Sequence, residues 1–60
     1  MSNIKKLRKK AGLSRKVFAS KIGVTAWNVR QWEKGKSRPR LGTLTKMADI
    51  LECNLLDLTQ

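Results

Sequence analysis

The fold is decided by LSRKVFASKIGVTAWNVRQWEKG, residues 13–35. Twice in it an apolar residue precedes a hydroxyl side chain, Leu13 before Ser14 and Val24 before Thr25. That pairing joins a hydrophobic staple to a helix N-cap. After Ser14 the apolar residues Phe18, Ala19 and Ile22 face one way until Gly23, and after Thr25 Val29 and Trp32 do the same until Gly35. Glycine stops a helix because, lacking a Cβ, it enters the left-handed conformation at little cost. These signals predict one helix over 15–22 and a second over 26–34. Only about three residues separate them, so the chain turns sharply and the two helices stay in contact, which is helix-turn-helix geometry.

Upstream, Ile4, Leu7 and Ala11 mark the inner side of a helix over 2–11 that Gly12 stops, with Lys5, Lys6, Lys9 and Lys10 between them. Downstream, Lys36, Ser37, Arg38, Pro39 and Arg40 form a basic loop. It is extended before Pro39, because the ring clashes with a helical predecessor. Leu41, Leu44, Met47, Ala48 and Leu51 then outline an amphipathic fourth helix. Asn54 with Asp57 resembles a capping box and opens a short last helix that turns Leu55 and Leu58 inward. Five helices without a strand signal predict an all-α fold. Sixty residues are expected to hold one compact domain, 1–60.

Fourteen Lys and Arg against four Asp and Glu give a formal charge of +10. A hydrophobic fraction of 40% is too high for a disordered basic tail, so a folded polyanion binder is expected. The charge is divided: residues 1–40 carry thirteen cations against Glu33 alone, while residues 41–60 set Lys46 against Asp49, Glu52 and Asp57. This predicts a binding surface in the first part and a scaffold behind it. No apolar run is long enough to span a membrane or resembles a signal peptide, and the single cysteine forms no intrachain disulfide, so a cytoplasmic setting is expected. Cys53 is expected to be a small buried hydrophobe. With no histidine, no glycine-rich phosphate loop and no metal cluster, neither enzymatic activity nor a cofactor is expected.

The chain resembles the phage repressor and Cro-like helix-turn-helix family, of the xenobiotic response element type. Ala19, Gly23 and Val29 occupy that family's small, turn and apolar positions, with Phe18, Ile22, Val24 and Trp32 in the flanking slots. The segment WEKGKSRPRLGTLTKMADIL resembles its third-helix end, proline-containing loop and fourth helix. The resemblance implies a lambda repressor-like domain and a double-stranded DNA partner. Two positions depart from it. Arg15 stands where Gln is common, and Val17 stands in a usually acidic slot, so the capping box on Ser14 lacks its acid.

At 100° per residue from Val29, Trp32 lies near 300°, and the far side carries Arg30, Lys34, Trp27 and Gln31 at about 100°, 140°, 160° and 200°. Such a helix fits the major groove of B-DNA. By resemblance Ala26, Trp27 and Gln31 match base-contacting positions, Asn28 lies near the phosphate edge, and Arg40 matches a residue that enters the minor groove. Trp27 stands where a smaller or amide side chain is commoner, so apolar contact is expected from it and hydrogen-bonded readout from Gln31. Phosphates are expected at Arg15, Thr25, Asn28, Lys34, Lys36 and Arg38, helped by the positive ends of the second and third helices. Lys5, Lys6, Lys9 and Lys10 are expected to form a solvated face. On the wheels of their own helices, Arg8 lies near 40° from Ile4 and Glu33 near 40° from Val29, both turned toward the core, and the resembling family pairs Arg with Glu at these two positions, so an ion pair is expected.

The functional expectation is a sequence-specific repressor that binds a palindromic operator as a homodimer, with no small-molecule ligand. The alternative is an antitoxin-like protein-interaction module, using exposed Val17 and Trp27 as its patch. A further rival is a cationic membrane-surface peptide, whose basic residues would line one continuous amphipathic helix; Gly12, Gly23, Gly35 and Pro39 interrupt any such helix, so no membrane partner is expected.

Overall fold

The computed structural model describes residues 2–59; Met1 and Gln60, the ends of the expected domain, lie outside the described residues. The helices are α1 (Ser2–Lys10), α2 (Arg15–Ile22), α3 (Ala26–Glu33), α4 (Leu41–Leu51) and α5 (Leu55–Thr59), with no strand among the described residues. None is long and apolar enough to cross a membrane. Helix starts follow the expected hydroxyls: Ser14 Oγ accepts from the Val17 amide at 3.1 Å, and Thr25 Oγ1 accepts from the Asn28 amide at 3.2 Å. At α5 the Asn54 amide donates to Asp57 Oδ2 at 3.1 Å, the carboxylate half of the expected box.

Helix ends share one device. After α3, Gly35 has φ +74°, its amide donates to the Trp32 carbonyl at 3.1 Å, and the Lys36 amide donates to the Gln31 carbonyl at 3.0 Å. These are the two bonds of a Schellman motif. The same pair closes α4 around Glu52, at φ +54°, with the Cys53 amide reaching the Ala48 carbonyl at 2.9 Å. Cys53 is half-buried against the core, so it acts as the apolar seal of this cap.

All five helices feed one core: Ile4 from α1; Phe18, Ala19 and Ile22 from α2; Val29 and Trp32 from α3; Leu44, Met47 and Ala48 from α4; Leu58 from α5. The helices α2 and α3 pack on each other, α1 lies against α3 and α5, and α4 against α2 and α5. This holds the helix-turn-helix on a scaffold of the other three.

Several expectations change. The first helix ends at Lys10, and Ala11 is exposed, because the closing turn starts there and Leu13 supplies the apolar seal instead. Helix α3 stops at Glu33, with Lys34 as its cap. Leu41 is 70% exposed, since the core meets α4 only from Leu44, one turn later. Leu55 is also exposed, because five residues make little more than one turn and present one side chain, Leu58, to the core. Pro39 is buried, which its place in a basic loop concealed.

Two measurements check this account. Glu52→Gly is expected to stabilise the protein by about 1 kcal/mol, a rise in Tm of about 4–8 °C, because glycine removes the left-handed strain; an unchanged or lower Tm counts against it. Trp32→Ala is expected to cost about 3–5 kcal/mol. Against a total of about 3–9 kcal/mol for a chain of this size, circular dichroism should find the variant largely unfolded.

Candidate nucleic-acid interface

The inner apolar stripe of α3 is Val29 and Trp32, both buried, with Ala26 partly buried against the same core. Glu33 completes it. Its side chain is 3% exposed and both carboxylate oxygens are engaged: Arg8 Nε donates to Oε2 at 2.6 Å, and Arg15 Nε donates to Oε1 at 2.8 Å. Arg8, itself buried, also donates from Nη1 to the Leu13 carbonyl at 2.7 Å, tying the cluster to the turn after α1. No buried side-chain nitrogen or oxygen among the described residues lacks a partner. Burial by itself pushes the Glu33 carboxyl up, but hydrogen bonds and charge from Arg8 and Arg15 outweigh it and hold the group below its ordinary value.

Arg8 and Glu33 thus meet as the wheel and the family pattern anticipated, and Arg15 joins them, which the sequence reading missed. The sequence pattern gives Arg15 a phosphate role alone. Its Nε is committed to Glu33, while the side chain keeps 40% exposure at the head of α2. The missed signal was the scarcity of acids: a lone carboxylate with two open oxygens can take two guanidinium groups.

With Glu33 turned in, the opposite face of α3 carries Trp27, Arg30 and Lys34 exposed and Gln31 half-buried, with Asn28 half-buried beside them; Ala26, in the first turn, is half-buried against the core. Thr25 is exposed, its Oγ1 occupied by the Asn28 amide. Like charge gathers here. The Lys34 ammonium is pushed below its ordinary value, first by Arg30, then by partial desolvation, then by Lys36 and Arg15. Arg38 and Arg40 are exposed on either side of buried Pro39, which anchors the loop and leaves both guanidinium groups outside, at the head of α4. Arg40 is the α4 N-cap and makes no side-chain cap bond. The first turns of α2, α3 and α4 contain no acid, so no carboxylate within them offsets the positive ends of these helices.

Lys5, Lys6, Lys9 and Lys10 of α1 are all exposed, the expected solvated face. Lys6 and Lys10, with Lys21, line an open groove whose other wall includes Asp49, Glu52 and Asp57. The acids of the C-terminal part therefore sit across from these cations.

A family model described as helix-turn-helix matches residues 4–58. No curated protein and no solved structure matches the chain at a significant level.

Because Glu33 is depressed in the folded state, its contribution to stability is full above the ordinary glutamate value of about 4.3 and is lost as pH falls through the lower folded value. Glu33→Ala is expected to cost about 3–5 kcal/mol, since it leaves Arg8 buried and unpaired. Arg15→Ala should cost about 1 kcal/mol, given its exposure. Urea titrations at neutral pH and down to about pH 3 test this. Equal midpoints for wild type and Glu33→Ala at neutral pH would remove the structural role assigned to Glu33.

Proposed function

The chain belongs to the phage repressor and Cro-like helix-turn-helix family of DNA-binding regulators, and from that premise we propose that it is a repressor occupying a palindromic operator as a homodimer. In this reading α3 lies in the major groove with Ala26, Trp27 and Gln31 on base edges. Phosphates are held by Arg15, Thr25, Asn28, Lys34, Lys36 and Arg38, and Arg40 enters the minor groove. It acts in the cytoplasm, by covering a promoter, and needs no cofactor.

One observation carries the proposal: Glu33 turns one face of α3 into the body, and the other face presents Trp27, Arg30 and Lys34 to solvent. The acid-free helix ends support the phosphate assignments, because free amides and a positive dipole favour anions. Arg15 suits a phosphate because Glu33 fixes its Nε and thereby orients the rest of the guanidinium. Two copies are inferred from length: eight residues of α3 span about 12 Å and read too few base pairs for useful specificity. Exposed Leu41, Leu55 and Leu56, on α4 and α5, offer apolar surface for that pairing.

Selection from a random duplex library tests the proposal. The expected product is a palindrome whose half-sites lie about one helical turn apart, retarded in gels as two chains per duplex. Each phosphate contact steepens the dependence of log affinity on log salt by about 0.9, so four cations give a slope of about −4 per chain and about twice that per dimer. A single half-site holding one chain at saturation refutes the dimer. Affinity that barely changes between about 50 and 200 mM salt refutes the phosphate assignments.

A further inference from the structure

The two tryptophans of α3 differ sharply. Trp32 is buried, whereas Trp27 is 65% exposed and is the largest apolar side chain that α3 shows to solvent. The neighbouring stems of Arg30 and Lys34 therefore leave most of the indole uncovered. Trp27 is the second residue of α3, and helical side chains lean toward the N-terminus. Its indole thus projects at the end of the helix that enters the groove in the proposed reading. Gln31 stands one turn behind on the same side.

An indole has one N–H donor and no acceptor, so it makes neither the paired amide contact with adenine nor the forked contact with guanine. What it offers is a wide apolar face. Among the four bases, only thymine places an apolar group, its C5-methyl, in the major groove. We propose that Trp27 reads the C5-methyl group of pyrimidines, so that affinity at its base step follows the methyl group rather than the base that carries it. The inference rests on α3 being the major-groove helix. Its consequence is chemical: 5-methylcytosine presents the same methyl group at the same ring position, so the protein distinguishes 5-methylcytosine from cytosine at that step. Gln31 supplies the hydrogen-bonded readout that a methyl contact lacks.

The experiment uses the whole chain and a duplex selected from a random library. Each thymine is replaced in turn by deoxyuracil, which lacks only the methyl group, and the step that responds is also made with cytosine and with 5-methylcytosine. Burying one methyl group is worth about fourfold in affinity, so deoxyuracil should weaken binding about fourfold per half-site and about fifteenfold in a symmetric site. Cytosine should weaken it at least as much, and 5-methylcytosine should recover the methyl share. In Trp27→Ala the difference between thymine and deoxyuracil should vanish, while the fold, reported by Trp32 emission, and the salt slope persist. Trp27→Phe should retain part of the difference. A duplex bound tightly with no deoxyuracil effect at any position overturns the proposal and leaves the DNA reading intact. So does a Trp27→Ala variant with an undiminished deoxyuracil effect. If no duplex is selected at all, the DNA reading fails and this inference fails with it.

Discussion

One carboxylate organises this molecule. Glu33 receives a guanidinium nitrogen from α1 and another from α2, so three helices meet on a single buried side chain. A buried ion cluster is a weak source of stability beside well-packed apolar groups, because desolvation offsets most of the attraction. Its effect is orientation. Val29, Trp32 and partly buried Ala26 make a narrow inner stripe, which leaves α3 some freedom to roll on its support. Two bonds to the last residue of the helix remove that freedom, and the rotation they set determines which residues face outward.

The same cluster bears on charge. Two arginines and one glutamate leave a surplus positive charge, and the exposed cations around it repel one another, as the lowered Lys34 ammonium records. A small domain that gathers cations this way lowers its own stability. In the proposed reading, phosphates docking between them relieve that repulsion and supply the missing counter-charge. The acids Asp49, Glu52 and Asp57 do not fill this role, since they face Lys6, Lys10 and Lys21 across a separate groove. Glu52 illustrates the compromise: it holds a left-handed conformation that suits glycine, and it puts negative charge at the C-terminal end of α4.

Much of the architecture was legible from local chemistry. Ser14 and Thr25 announce helix starts because their side chains take an amide hydrogen within the same turn, and Gly23 and Gly35 announce ends because their backbones turn left-handed there. The apolar positions of α2 and α3 were readable for the same reason, since helical periodicity is set by bonds inside the segment. Errors fall where burial depends on a distant element. Ala11, Leu41 and Leu55 carry the right periodicity and stay exposed, while Pro39, set among cations, is buried.

The five helices, the charge division, the family pattern and the apolar positions of α3 were legible in the amino-acid order alone, because each follows from residue type and spacing along a short stretch. It took packing between helices to share Arg15 with Glu33, to anchor the basic loop on Pro39, and to set Lys6 and Lys10 along a groove that acids also line. Each of these depends on residues at least eighteen positions apart or on a surface assembled from several helices. Distance through the fold is not encoded by local periodicity. For Arg15, what governs its role is the second oxygen of a carboxylate eighteen residues away.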